Sequence, residues 1–127
     1  MITTSLELSK RLKEAGWNEP TYFMWFNMRG DEWELHRYRN NGLQGDCFAP
    51  TAEEIIEKLP KRLESSGDYF FLNCHRDGQW LVSYYSMLQD YTCYINDERI
   101  AVYGESLADA CALMCIHLKE HNLLPLA

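Results

Sequence analysis

No apolar run in this 127-residue chain approaches the ~18–20 residues that a membrane-crossing helix needs. There is no CxxC pair, and the five cysteines (Cys47, Cys74, Cys93, Cys111, Cys115) are odd in number and irregularly spaced. That usage argues for reduced thiols and against a disulfide framework. Positive charge is short: twelve Lys and Arg stand against nineteen Asp and Glu, leaving a net charge of −7. A general nucleic-acid binder exchanges a positive field for phosphate counterions, so direct nucleic-acid binding is not expected. The first residues carry no basic stretch and no signal core, which leads us to expect a cytoplasmic protein. A phosphate-binding loop is missing too, because Gly42-Leu43-Gln44-Gly45 lacks the Lys-Ser/Thr that follows one. No linker, low-complexity stretch or repeat interrupts the chain, so residues 1–127 read as one domain.

What is present is punctuation for helices. A hydroxyl followed three places on by an acid occurs at Thr4/Glu7, Thr51/Glu54 and Ser106/Asp109. The first two read as capping boxes, and the third as a weaker one because Asp is shorter. Leu6, Leu8, Leu12 and Ala15 form the apolar side of a first helix that Gly16 closes. Ile55, Ile56, Leu59 and Leu63 form the stripe of a second, which Pro60 must end near Lys58–Leu59, leaving Lys61–Leu63 as a separate turn. A third spans about Leu107 to Glu120, with Leu107, Cys111, Met114, Cys115 and Leu118 inward.

Aromatic-rich strands lie between these helices. Thr21–Met28 and Glu32–Tyr38 read as a hairpin around Arg29-Gly30-Asp31, and Arg39–Pro50 as the longest loop. Tyr69–His75 and Trp80–Ser86 form a second hairpin, for which Asp77-Gly78 signals a type I′ turn. Residues 87–98 are ambiguous, although Tyr91–Ile95 could pair briefly, and Arg99–Tyr103 is a last strand. The fold class is therefore α+β, a mainly antiparallel four- to five-stranded sheet packed with three helices in the order α-β-β-α-β-β-(β)-β-α.

No catalytic constellation is complete, so neither an enzyme nor a cofactor is expected. His117 and His121 have the i,i+4 spacing of a chelating pair, but Leu118 stands where a zincin has Glu, and no metal set is assigned. Cys74 and His75 point to opposite faces of their strand and cannot act on each other. The one basic cluster is Arg29, His36, Arg37 and Arg39, an anion or nucleotide site if the arginines are not paired with Asp31, Glu32 and Glu34 across the hairpin. Tyr84, Tyr85, Tyr91 and Tyr94, with Tyr103, crowd the second half and make a candidate partner-binding surface. Because three helices are few for two aromatic sheet faces, a homodimer is also expected.

Three stretches carry a resemblance: Ser5-Leu-Glu-Leu-Ser-Lys-Arg-Leu-Lys-Glu-Ala-Gly-Trp17 with Pro20-Thr21, Ala49-Pro-Thr-Ala-Glu-Glu-Ile-Ile56 with Leu59-Pro60, and Gly104-Glu-Ser-Leu-Ala-Asp-Ala110. With them the chain resembles small proteins encoded by bacteriophages and prophages of gut bacteria. The resemblance implies origin in a mobile element and an intracellular setting, and it transfers no active site; the acidic charge and surplus aromatics lead us to expect a host or viral protein as partner. Phage proteins of this size and charge include anti-defence factors such as anti-CRISPRs, so a non-enzymatic inhibitor is the expectation, with small-anion or nucleotide binding as the alternative.

Overall fold

A computed structural model describes residues 2–38 and 47–124 of the chain. Helix α1 (Leu6–Ala15) begins at Ser5, whose hydroxyl accepts from Leu8 N–H. Thr4, the expected cap, bonds Ser9 Oγ at 2.6 Å instead, so no box forms with Glu7. With the cap moved to Ser5, the residue three places on is Leu8, which has no carboxylate to reach back. Asp109 supplies it: Oδ1 accepts from Ser5 N–H at 2.8 Å across 104 positions of sequence. The Ser106/Asp109 box is therefore half-made, with Ser106 Oγ accepting from Asp109 N–H at 3.1 Å while the carboxylate serves α1. Gly16 closes α1 at φ +112°, donating to Lys13 O, and Trp17 N–H reaches Leu12 O at 2.9 Å.

Only Thr51/Glu54 is a complete box, at the start of α2 (Ala52–Ile56). The second oxygen of Glu54 accepts from Tyr22 N–H at 3.1 Å, tying this cap to the chain that enters the first hairpin. Thr4 N–H donates to Pro50 O, so the starts of α1 and α2 lie side by side. Past α2 the chain closes with Leu59 N–H on Ile55 and Ile56 O, as Pro60 dictates. Residues 62 and 63 then enter a strand and not the expected isolated turn, because Leu63 pairs with Phe70 and buries there.

Strands β1 (Phe23–Arg29), β2 (Glu32–Arg37) and β3 (Cys47–Phe48) make a three-stranded antiparallel sheet, order β2-β1-β3. A second sheet holds β4 (Arg62–Ser65), β5 (Asp68–Asp77), β6 (Gln79–Ser86) and β10 (Ala101–Gly104) in the order β10-β6-β5-β4. Short β7 (Tyr91–Thr92) continues the β10 edge of β6, and β8 (Tyr94–Ile95) with β9 (Glu98–Arg99) forms a hairpin excursion between them. The fold is α+β with antiparallel strands, but the single expected sheet is two sheets and a hairpin. Ser66 (φ +54°) with Gly67 (φ +83°), and Asn96 (φ +53°) with Asp97 (φ +65°), close two-residue turns with both centres left-handed, the type I′ signature. At Asp77-Gly78, where that turn was expected, Asp77 stands opposite Gln79 and only Gly78 has positive φ. The hairpin forms with a different turn.

Helix α3 (Leu107–Glu120) is the centre of the molecule, with β6 and β10 on one side and α1 and α2 on others. Ala108, Ala110, Ala112 and Ile116 are buried besides the expected Cys111, Met114, Cys115 and Leu118. A helix apolar nearly all round is one covered nearly all round. From the sheet, Phe70, Val82 and Tyr84 face it, with Leu12, Ile55 and Ile100 completing the core.

Candidate functional site

Side chains on a strand alternate between faces, so the register of the second sheet decides what its other face presents. Phe70, Leu72, Val82 and Tyr84 go inward, and Tyr69, Phe71, Leu81, Tyr85 and Tyr103 therefore go outward. Among the described residues no helix lies on that outer face, since α3 takes the inner one and α1 and α2 pack behind α3. Tyr69 is 46% exposed, Phe71 56% and Tyr103 52%. The Arg62 guanidinium lies over the Tyr69 ring at 4.4 Å, where its charge stays wet while its stem covers carbon.

A turn of residues 87–90 overhangs one end of this face. It is held by Asp90 N–H on Ser86 O at 2.8 Å, Gln89 N–H on Ser86 Oγ at 3.1 Å, and a bond from the Tyr85 hydroxyl to the Asp90 carboxylate. Met87 is 88% and Leu88 96% exposed at its tip. Between the turn and the sheet lies a cavity of about 700 Å³ lined chiefly by Tyr69, Phe71, Tyr85, Met87 and Leu88. Two large apolar side chains thus stand in water beside an aromatic recess, an arrangement uncommon on monomers.

The structure sorts the four expected partner-binding tyrosines. Tyr85 stands on the open face, and Tyr94 is 51% exposed on the β8–β9 hairpin. Tyr91 is half-exposed at the sheet's end, donating to Asp68 Oδ2 at 2.9 Å and meeting the Phe70 ring edge-on. Tyr84 is a correction: it has no exposed surface, and its hydroxyl donates to Pro60 O at 2.6 Å. Alternation separates it from Tyr85, and the inner face is the covered one. Tyr69, Phe71, Met87 and Leu88 were missed, although the run Tyr69-Phe70-Phe71-Leu72 is apolar on both alternating sets.

The basic cluster does not gather. Arg29 sits at the tip of the first hairpin opposite Glu32, and Arg37 at its other end opposite Phe23. His36 points to the opposite face from Arg37, with Nε2 3.4 Å from Glu34 and its ring against Phe26. Among the described residues neither arginine makes an ion pair, and Arg39 lies outside them, as does most of the loop expected to flank the cluster. Among the described residues, Arg29, His36 and Arg37 do not converge on one point.

Histidine chemistry gathers elsewhere. His117 and His121, one turn apart at the end of α3, are joined by Glu98 of β9, and one ligand atom from each lies within 4.8 Å of the others. The sequence reading lacked Glu98 because β9 lies 19 positions before His117.

None of the cysteines forms a disulfide. Cys74, exposed on β5, accepts a hydrogen bond from the Cys111 thiol of α3, which lowers its pKa to about 7 against the opposing effect of burial. Cys111 is pushed far up by the same bond and by burial, and burial alone takes Cys115 to about 12. A lowered pKa means more thiolate at neutral pH, and the thiolate is the nucleophile. Alkylation by iodoacetamide, followed by mass spectrometry, should therefore modify Cys74 first, with a rate midpoint near pH 7. Cys111→Ala should return that midpoint toward the ~8.5 of a free thiol. An unmoved midpoint would show that Cys111 is not the cause.

No helix among the described residues is long and apolar enough to cross a membrane. Comparison with protein-family models, curated proteins and solved structures returns no match.

Proposed function

We propose that the protein acts by binding another protein on the open face of the β4–β5–β6–β10 sheet, without chemistry of its own. The observation that carries this reading is the aromatic face with Met87 and Leu88 standing at its rim almost wholly in water. Exposed apolar area of this kind is rare on monomers, and aromatic and Met side chains are enriched where proteins meet. The net charge of −7 favours a basic partner, by steering its approach and lowering non-specific association. From the resemblance to phage-encoded proteins, the partner is a host or viral protein, and an anti-defence inhibitor that occupies a basic groove is the sharper form of the same proposal.

The test compares the wild-type chain with the double variant Phe71→Glu, Leu88→Glu. Both positions are more than half exposed, so folding should survive. Pull-down from lysate of an infected host at low and high salt is expected to recover a partner with the wild type and lose it with the variant. Truncating a central interface anchor costs ~2 kcal/mol or more, roughly 30-fold in affinity. High salt should slow capture without abolishing it. Recovery of the same proteins by both chains, or of none, overturns the reading. Sedimentation at micromolar concentration runs alongside: a dimer that the same variant dissolves would place a second copy of this chain on the face, as the sequence led us to expect.

A further inference from the structure

We propose that Glu98, His117 and His121 form a binding site for one divalent transition-metal ion, with zinc the best chemical fit. The site shares no residue with the open face and stands independently of the binding function proposed above.

The first ground is convergence from separate elements. His117 and His121 present their rings on one side of the last turn of α3, with centroids 4.6 Å apart. Glu98 comes from the β8–β9 hairpin, where the Asn96-Asp97 turn immediately before it fixes the strand's direction. Donor atoms around a tetrahedral zinc with ~2.0–2.1 Å bonds are roughly 3.3 Å apart, so the three ligands, all within 4.8 Å of one another, need only a small closure.

The second ground is the bonding of His121. Its Nδ1 lies 2.8 Å from the carbonyl oxygen of His117, which can only accept, so Nδ1 carries hydrogen. Its Nε2 stands 2.7 Å from a Glu98 carboxylate oxygen, also only an acceptor. A metal ion bound at Nε2 would leave the Nδ1–H bond to the backbone carbonyl in place, and that bond is the outer contact that orients metal-bound histidines.

His117 gives the third ground. Its Nε2 is buried and has no hydrogen-bond partner among the described residues. A buried polar atom left unpaired is costly and uncommon, and bonding to a metal would satisfy it.

Donor chemistry selects the ion. Two imidazoles and one carboxylate suit zinc, copper, nickel or cobalt, whereas magnesium and calcium take oxygen ligands. Three protein donors leave a fourth position open to water or to a side chain brought by a partner. The ion would also reinforce the Glu98–His121 contact that ties the β8–β9 excursion to the end of α3.

The test uses the full chain stripped of metal with chelator and desalted. Isothermal titration with zinc is expected to show one equivalent binding at micromolar affinity or tighter, with a rise in the thermal midpoint. Cobalt should give visible bands of a nitrogen/oxygen site without a thiolate-to-metal band, which separates this site from the cysteines. Glu98→Gln, at a side chain 59% exposed and so safe for folding, should weaken zinc at least tenfold, and His121→Gln at least as much. No binding at millimolar zinc, equal affinity in Glu98→Gln, or a thiolate band with cobalt would each overturn the proposal.

Discussion

Gly104→Ala is expected to cost the fold ~2–4 kcal/mol and to lower its thermal midpoint by about 10 °C. An added Cβ would stand 2.5 Å from the Ala110 nitrogen and 2.7 Å from its Cα, distances that real Cβ atoms do not show. Those are backbone atoms, so no side chain can swing aside. Relief needs α3 to back away from β10, yet α3 is held from behind by α1 and α2. Intrinsic preference points the other way: Gly104 does not have positive φ, and Gly→Ala at an ordinary conformation gains up to ~1 kcal/mol through the unfolded chain. The close approach decides the sign. Urea unfolding measures it, and a change under ~0.5 kcal/mol would show that the helix can yield. Adding Ala110→Gly should not rescue the variant, because the nitrogen and Cα remain in the way.

Much of this architecture was written locally. Gly16, the Thr51/Glu54 box and the stripe of α3 each state a helix boundary within a few residues, because capping and periodicity act over one or two turns. The hairpins were legible for the same reason. What was not legible is whatever depends on a partner far along the chain. Thr4 and Ser5 are both good caps, and the choice between them is settled by Asp109, which reaches Ser5 N–H. Alternation says that Tyr84 and Tyr85 face opposite ways, but not which way is covered, and Tyr69-Phe70-Phe71-Leu72 offers no polar set to break the tie. The helices that settle it come from the two ends and the middle of the chain. The Arg29, His36, Arg37 cluster shows the reverse error: neighbours in sequence become distant on an extended hairpin, where each residue adds ~3.3 Å and changes face. Glu98, conversely, is near the two histidines only in space.

Tyr84 and Tyr85 therefore make the sharpest paired test of which face is inside. Tyr84→Ala is expected to cost ~3–5 kcal/mol, the usual range for emptying a buried aromatic site. The ring has no exposed surface, and it lies where β6 meets two segments at once: its N–H donates to Ile100 O and its carbonyl accepts from Cys93 N–H. Tyr84→Phe, which keeps the packing and loses only the hydroxyl bond to Pro60 O, should cost ~1 kcal/mol. Tyr85→Ala, on the open face, should cost less than that and act on partner binding instead. Alkali gives an independent readout. Burial raises the Tyr84 phenol well above its ordinary 10.0. Its contribution to stability is then complete below pH 10. As pH climbs from there toward the folded value, the unfolded chain loses the proton while the folded chain keeps it, and stability falls. Tyr84→Phe should flatten that alkaline decline relative to wild type. If Tyr84→Ala unfolds no more easily than Tyr85→Ala, the assignment of inner and outer faces is wrong, and the binding surface proposed on the outer one goes with it.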